Sequence, residues 1–456
     1  MNRSTAFGSQ QHRKNIGRRI RRINAVDFFN VLTGPELLGS TEAHLPEHRE
    51  RMYPPTVTLS MFMKQGLEED GSCQKAVNGW VAQRVAEGLN ALSVSTGAYC
   101  KARQRLPIEM VRALTRETGQ WLVRQAAGQW HWRERTVKLV DGTGISMPDT
   151  PDNQKYFPQP SSQAEGVGLP LARLVGVICL STGAVLDAAI GPFEGKGHSE
   201  LDLFRRLLGA FSPSDVMLAD ALFCNYFLIA TLQGAGVDVL FEQHGARISD
   251  FRRGKKLGER DHVVSWLKPK TPPAWMTREQ YEAFADEITV REAKIGGQVL
   301  VTTLLNERKV SKGELSQLYG RRWNVELDLR NIKTTLGMEV LSCQTPRMNE
   351  KQIWVYLLAY NLIRLLMAQA ALAAGLHPRQ LSFKHTVQIW TEWTTRGLLS
   401  DPEQHNVLLG LIAQRKVGTR PGRIEPRARK RRPKPYPLLT TPRALAREQI
   451  RIHGHL

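Results

Sequence analysis

The sequence predicts a mixed α/β protein preceded by a helical segment. Helical periodicity dominates up to about residue 132, after which short runs of β-branched and aliphatic residues alternate with helices. Two of these runs, 136–140 and 216–219, lead directly into an aspartate, Asp141 or Asp220. Because α/β proteins commonly place their chemistry at strand ends, these two aspartates are candidate site residues.

The charge of the chain is concentrated at its two ends. The 456 residues, 41% of them hydrophobic, are enough for two or three domains, and the net charge is +20. Residues 1–24 contain seven Lys or Arg and no acid, and residues 411–456 contain thirteen against two acids. Basic ends on a nearly neutral body indicate a polyanionic partner, most simply nucleic acid, with solubilising tails as the alternative.

Export and membrane insertion are not indicated. The Arg-rich N-terminus lacks the apolar core of a secretory signal. The longest apolar run, 353–374, is interrupted by Asn361, Arg364 and Gln369 and predicts a buried helix. Five dispersed cysteines without a Cys-x2-Cys pair favour a reducing compartment and no zinc site. We expect a soluble, cytoplasmic protein without a membrane partner.

The N-terminal part is predicted to be helical. Apolar residues recur at helical spacing in 59–67, 74–89 and 108–127. A short cationic helix is predicted within 95–107, where Pro107 ends it. Its charge suits DNA, and a solvated basic helix fits the pattern equally well.

The next part has the order βββαβαβ, with acids ending the first and fourth strands. Gly142 and Gly144 are expected to turn the chain after Asp141, for which a surface turn is the alternative. The remaining elements are a hairpin of 171–180 and 184–190, a helix 200–208, a strand 216–219, a helix 226–233 and a strand 237–242. This order is similar to a ribonuclease H-like fold. About seventy residues, 244–312, then form a predicted insertion that is basic first and β-rich later.

The most informative stretch is 319–333, YGRRWNVELDLRNIK. On a helix of about 100° per residue, Tyr319, Arg322, Glu326 and Lys333 fall within an arc of roughly 60°. A neighbouring stripe of Val325, Leu329, Ile332 and Leu336 predicts a buried edge. A carboxylate between two cations suits a polyanion held on a divalent metal, and the alternative is a solvated helix with i, i+4 pairs.

The pattern Tyr-x2-Arg-x3-Glu-x6-Lys resembles the signature of DDE transposases of the insertion-sequence-four family, and Trp323 beside the signature arginine also fits. The resemblance covers about residues 136–370, including the β-rich insertion. It implies that Asp141, Asp220 and Glu326 are the catalytic, metal-binding acids. Tyr319, Arg322, Trp323 and Lys333 would then bind DNA.

The resemblance also implies a mechanism. Two Mg²⁺ ions, about 3.5–4 Å apart and replaceable by Mn²⁺, would serve in-line phosphoryl transfer on DNA. Water would nick the transposon end, and the freed 3′-hydroxyl would attack a second phosphate. The family's hairpin intermediate needs a tryptophan in the strand before the signature helix. None stands there, and Trp266 and Trp275 are the candidates.

We therefore expect a transposase that binds terminal inverted repeats and target DNA, as a homodimer in the synaptic complex. An inactive transposase-derived repressor and a structure-specific nuclease of the same fold are the alternatives. The predicted domains are a basic arm (1–25), a helical DNA-binding domain (26–132), the two parts of the catalytic domain (133–243 and 313–375), the insertion (244–312), and a C-terminal segment (376–456) with an extended basic arm at 423–442.

Overall fold

A nine-stranded mixed sheet is the centre of the fold in this computed structural model, which describes residues 52–68, 70–395, 402–418 and 438–454. The predicted N-terminal arm and most of the C-terminal arm lie outside these ranges. The strand order is β3-β2-β1-β4-β5-β9-β8-β7-β6. In chain order the strands are β1 (Val137–Ser146), β2 (Leu171–Cys179), β3 (Val185–Pro192), β4 (Val216–Ala219), β5 (Asp238–Glu242), β6 (Lys255–Gly258), β7 (Asp261–Leu267), β8 (Glu287–Ile295) and β9 (Gln298–Thr302).

The first five strands have the ribonuclease H-like arrangement that the sequence predicts. Strands β1, β2 and β3 form an antiparallel meander, and β4 and β5 are added on the other side of β1 in parallel. The predicted α/β fold class is therefore confirmed. The four remaining strands come from the predicted insertion, which is β-rich as expected. They extend the same sheet, because β9 pairs with β5 in antiparallel register.

Helices cover both faces of the sheet. The longer ones are α1 (Pro55–Leu67), α2 (Cys73–Ala86), α3 (Gly97–Arg105), α4 (Ile108–Arg124), α7 (Tyr226–Gly234), α9 (Lys312–Gly320), α11 (Pro346–Ala373), α12 (Phe383–Thr395), α13 (Pro402–Gln414) and α14 (Arg443–His453). The short ones are α5 (Pro151–Tyr156), α6 (Glu200–Arg205), α8 (Arg278–Glu282) and α10 (Asn324–Arg330). Helices α4, α10 and α11 pack on one face, and α6 and α7 pack on the other.

Helix α11 is the hydrophobic centre of the first face. By length and composition it is the one helix of the described ranges that is apolar enough to cross a membrane, but 89% of its most apolar window is buried inside the protein. Interior side chains of α4 and of the signature segment contact it. The predicted buried helix at 353–374 is confirmed, and α11 is a core helix.

One prediction about β1 is wrong. We expected the strand to end at Asp141 and the following glycines to turn the chain, but β1 continues to Ser146. The reason is its pairing, because the antiparallel register with β2 runs on from Lys138 to Ser146. Only the parallel pairing with β4 ends early, at Leu139 opposite Leu218. Asp141 thus lies inside a strand, just beyond the end of β4.

A buried ion cluster joins the two helices that matter most for the site. Asp328 of α10 is fully buried and accepts hydrogen bonds from Arg364 of α11 and from Arg379 Nη2, the latter at 2.8 Å. Arg379 also donates to the backbone carbonyls of Cys179 and Leu180 in the β2–β3 turn. The cluster therefore ties α10, α11 and the end of the sheet together.

Breaking the cluster should strongly destabilise the folded protein. Asp328→Ala would leave two guanidinium groups without their buried counter-charge, which typically costs about 3–5 kcal/mol of unfolding free energy. Glu282→Ala is the matched control, because Glu282 pairs with Arg278 at the exposed surface, where such a pair contributes about 1 kcal/mol or less. Urea unfolding of both variants measures the difference, and equal losses would contradict the structural role of Asp328.

Candidate active site

The two candidate aspartates lie close together, Asp141 within β1 and Asp220 directly after β4. The parallel register pairs Leu139 of β1 with Leu218 of β4, and Asp141 and Asp220 each follow two residues later. Leu139 and Leu218 face the core on the α11 side of the sheet. Because side chains alternate along a strand, Asp141 is on that same side, and Asp220 directly follows the last residue of β4. The structure therefore brings together the two acids that the sequence singled out.

Asp141 occupies an environment that disfavours its charge. Burial raises its pKa to about 6, and the nearby negative charges of Asp220 and Glu200 act in the same direction. The backbone N–H of Gly142, which donates to Asp141 Oδ1 at 2.8 Å, and the Arg322 guanidinium act against this rise. Asp220 has a local hydrogen bond of its own, because its Oδ1 accepts from the Leu222 backbone N–H at 2.9 Å.

The signature segment is helical throughout but is not the single regular α-helix on which the predicted arc was based. Helix α9 ends at Gly320, Arg321–Trp323 form a 3₁₀ turn, α10 follows, and Asn331–Thr335 form a π-helical turn. The 3₁₀ turn is wound more tightly than an α-helix, and the π turn is wound more loosely. The buried stripe is confirmed, since Val325, Leu329, Ile332 and Leu336 are all in the core.

Four of the signature side chains are in contact with one another or with Glu242. Arg322 Nη2 donates to Glu326 Oε1 at 3.0 Å, and the Tyr319 hydroxyl donates to Glu242 Oε2 at 3.4 Å. Burial raises the pKa of Tyr319 well above its ordinary value, so it stays a neutral donor. Trp323 is 50% exposed, and the Arg322 guanidinium carbon lies 5.6 Å from the centre of its ring.

An open cavity of about 270 Å³ connects the signature segment to β1. Asp141, Glu326 and Lys333 all line it, together with Arg330 and Glu339. The neighbouring cation Arg321 points elsewhere, because it lines a separate cavity of about 310 Å³ with Trp130 and His377. The structure thus places two candidate acids and one candidate phosphate-binding lysine on one cavity, while Asp220 adjoins it through Asp141.

The donor atoms of these residues are of the kind that bind a divalent cation. Carboxylate oxygens are the ligands that hard divalent cations prefer, and crowded carboxylates are stabilised by such a cation. Within the described part of the chain, however, no three His, Cys, Asp or Glu side chains are already arranged to hold a metal ion. Glu326 is instead held by Arg322, so it would have to exchange this partner to ligate a metal.

Two further acids at the site were not singled out from the sequence. Glu242 ends β5 beside Asp220, since the register pairs Ala219 with Phe241. Like Asp141 and Asp220, Glu242 is an acid at the end of a predicted strand, so the sequence contains the signal that could have identified it. Glu200, at the start of α6, lies against Gly142. No sequence spacing connects Glu200 to Asp141, because α6 reaches β1 only through the fold.

The predicted cationic helix is only partly available to DNA. Helix α3 (Gly97–Arg105) forms as expected, but its Arg103 is 6% exposed. Its guanidinium donates to the thiols of Cys73 at 2.8 Å and of Cys343 at 3.2 Å. Lys101 and Arg105 of the same helix remain exposed. Cysteines that are dispersed in the sequence therefore meet where the N-terminal helices pack on the sheet domain.

Comparison with known proteins relates the chain to transposases. Residues 132–362 match the family model described as the transposase DDE domain. The chain is 30% identical over 358 residues to the transposase InsG for insertion sequence element IS4 of Escherichia coli K12. The aligned residues are 75% of this chain and 78% of that protein. A chain in the cryo-EM structure of the piggyBac transposase synaptic complex with hairpin DNA superposes with a TM-score of 0.41 at 10% sequence identity. The superposition covers 89% of this chain and 88% of that chain.

The pKa of Asp141 predicts how stability depends on pH in the metal-free protein. In the unfolded chain the carboxyl ionises at about pH 4, whereas the folded protein holds the proton up to about pH 6. Asp141 therefore lowers the unfolding free energy as pH rises through this window, by up to about 3 kcal/mol. Asp141→Asn should match the wild type at pH 4 and exceed it at pH 7.5, in urea unfolding with EDTA. A difference that does not change with pH would contradict the raised pKa.

Proposed function

Because the chain belongs to the DDE transposases of the insertion-sequence-four family, and is therefore an enzyme of DNA transposition, we propose that Asp141, Asp220 and Glu326 are its catalytic acids. The observation that carries this assignment is their placement. Asp141 and Asp220 are adjacent on the sheet, and Glu326 lines the same cavity as Asp141. An inactive repressor would not need these acids, so their joint presence favours catalysis over binding alone.

DDE transposases use divalent metal ions. We propose two Mg²⁺ ions here, with Mn²⁺ as a possible replacement, held by Asp141, Asp220 and Glu326. When bound, such ions activate an attacking oxygen and stabilise the leaving one in phosphoryl transfer. In the metal-free protein Arg322 is hydrogen-bonded to Glu326. If Glu326 ligates a metal instead, the Arg322 guanidinium becomes free to bind a phosphate oxygen.

The cations and the phenol of the signature segment are proposed to hold the DNA end. Lys333 lines the cavity with Asp141 and Glu326, within reach of a phosphate that lies between the acids. Tyr319 donates a neutral hydrogen bond from the other end of the segment. In this arrangement the DNA end is nicked by water, and the new 3′-hydroxyl then attacks a phosphate of the target. The production of joined strands, rather than cut ends alone, distinguishes a transposase from a nuclease of the same fold.

The exposed fraction of each tryptophan indicates which ring is available to receive an unpaired base in a hairpin step. Trp266 is 2% exposed, and its Nε1 donates to Glu292 while Arg247 covers its ring, so it is not free to stack on a base. Trp275 is 46% exposed under the Arg205 guanidinium. Trp323 is 50% exposed within the signature segment. If a hairpin forms, we propose Trp323 as the ring that receives an unpaired base, because it is closest in sequence to the catalytic groups.

DNA is the partner, and we propose terminal inverted repeats and a target site as its specific forms. The exposed cations of α3 and the arginines and lysines of 247–256 give basic surface on the described residues. The basic segments at both chain ends, as the sequence predicts, would add to it. We further propose a homodimer in the synaptic complex, since two DNA ends must be joined, and a cytoplasmic location.

The acids should be required for cleavage and not for DNA binding. Asp141→Asn, Asp220→Asn and Glu326→Gln each remove a metal-binding charge without a change of shape, so cleavage should fall by several orders of magnitude while end binding persists. The measurement is Mg²⁺-dependent cleavage and gel-shift affinity on linear DNA that carries the element's ends. Asp152→Asn, an exposed aspartate of α5, is the control. Near wild-type cleavage by any one of the three variants would remove that residue from the site.

Lys333 should hold phosphate and not metal. Lys333→Ala should therefore weaken the binding of cleaved ends more than that of uncleaved ends, because a freed terminal phosphate carries extra charge. Added Mg²⁺ or Mn²⁺ should not rescue it, whereas Glu326→Asp should respond in part to Mn²⁺. Arg321→Ala is the matched control, since this neighbouring cation lines the other cavity. Equal rescue of Lys333→Ala and Glu326→Asp by metal would show that the two residues do not divide these roles.

A further inference from the structure

Three of the five cysteines meet around one buried arginine. Cys73 begins α2, Cys100 lies in α3, and Cys343 lies in the loop before α11. Arg103 of α3 donates to the sulfurs of Cys73 and Cys343, at 2.8 Å and 3.2 Å. The thiol of Cys100 is also hydrogen-bonded to the thiol of Cys73. The fold thus brings three thiols, each from a different part of the chain, to one guanidinium group.

No carboxylate offsets the Arg103 charge within the described ranges. The side chain is almost fully buried, its guanidinium carbon lies 3.8 Å from the centre of the Phe62 ring, and its Nε has no hydrogen-bond partner there. Burying a cation without a counter-charge is costly. The groups that interact with this cation are Tyr99 and the thiols of Cys73 and Cys343. Because burial raises the pKa of Tyr99 well above its ordinary value, a thiolate is the counter-charge that this site can supply.

Cys73 is the thiol best placed to supply that charge and to react. It is half-buried, whereas Cys343 is 8% exposed and burial raises the pKa of its thiol. Besides the Arg103 hydrogen bond, the Cys73 sulfur accepts one from Gln65 Nε2 at 3.8 Å. A cation and hydrogen-bond donors around a sulfur favour its thiolate, which is the reactive form. Cys100 is half-buried as well, and burial raises its pKa, so a neutral thiol lies beside Cys73.

From this geometry we propose that Cys73 is a modification site, which hydrogen peroxide oxidises and which Cys100 then closes as a disulfide. The Cys73 thiolate attacks one peroxide oxygen, the O–O bond breaks, and the hydroxide that leaves takes a proton and becomes water. The product is a sulfenic acid. The Cys100 sulfur gives up its proton and attacks the Cys73 sulfur, so that an S–S bond forms, the S–O bond breaks and a second water leaves. Two thiols and one peroxide thus become one disulfide, which joins α2 to α3, and two waters.

The competing role of the cluster is structural. In that case the sulfurs are only neutral acceptors for a buried guanidinium, and Cys73 reacts no faster than a free thiol. The two roles therefore differ in the rate of oxidation and in its product. Neither role involves metal or DNA, so this inference is tested separately from the proposed function.

The test treats the reduced full chain with hydrogen peroxide, and a parallel sample of free cysteine gives the reference rate. Remaining thiols are blocked with iodoacetamide, and the peptides are mapped by mass spectrometry without reduction. We expect Cys73 to be oxidised several times faster than free cysteine. It should appear in a peptide pair that is joined to Cys100 and has lost two hydrogen atoms. In Cys100→Ser, a nearly isosteric change, Cys73 should stop at the sulfenic acid, which dimedone traps.

Two kinds of control interpret the result. Cys73→Ser is the matched variant, in which Cys100 should remain a thiol because the sulfur that it attacks is gone. Cys179 and Cys224 are internal controls, since both are buried and burial raises the pKa of Cys224 to about 12, so both should remain thiols. If Cys73 reacts no faster than free cysteine, or if its disulfide joins Cys343 instead, the inference is wrong.

Discussion

The signature segment is held in place by one buried charge. Asp328 lies two residues after Glu326 and points inward, where Arg364 and Arg379 surround it. Residues two apart on a helix lie on different faces, so the fixed inward direction of Asp328 directs Glu326 outward to the cavity. Arg379 extends the restraint to the β2–β3 turn. The orientation of Glu326 toward the cavity thus depends on a buried ion cluster.

On the cavity side of the signature segment the balance of charge is reversed, and carboxylates outnumber the cations that interact with them. Asp141, Asp220 and Glu242 lie where the central strands β4 and β5 end, and Glu200 lies against Gly142. Arg322 interacts with Asp141 and Arg173 with Glu200, and Arg322 is also bound to Glu326. Burial of like charges destabilises the folded state. The protein tolerates this cost at its site, and the large apolar core around α11 stabilises the fold.

Much of this architecture could be predicted from the sequence, because strands and buried helices have local periodicity. The strands before Asp141 and Asp220, the buried stripe of the signature segment and the β-rich insertion are of this kind. The predictions that failed concern residues whose contacts come from distant parts of the sequence. Strand β1 passes through Asp141 because β2 pairs with it, and Arg103 is buried because Cys73 and Cys343 come together around it. Glu200 meets Gly142 only through the packing of α6.

The edge strand β6 has a consequence for the protein in solution. A free strand edge presents unpaired N–H and C=O groups, which can pair with another chain and start aggregation. Strand β6 spans only Lys255–Gly258 and carries two exposed lysines. Short length and repelling charge are two devices by which natural sheets prevent such pairing. The insertion can therefore lengthen the sheet to nine strands without turning its outer margin into a template for polymerisation.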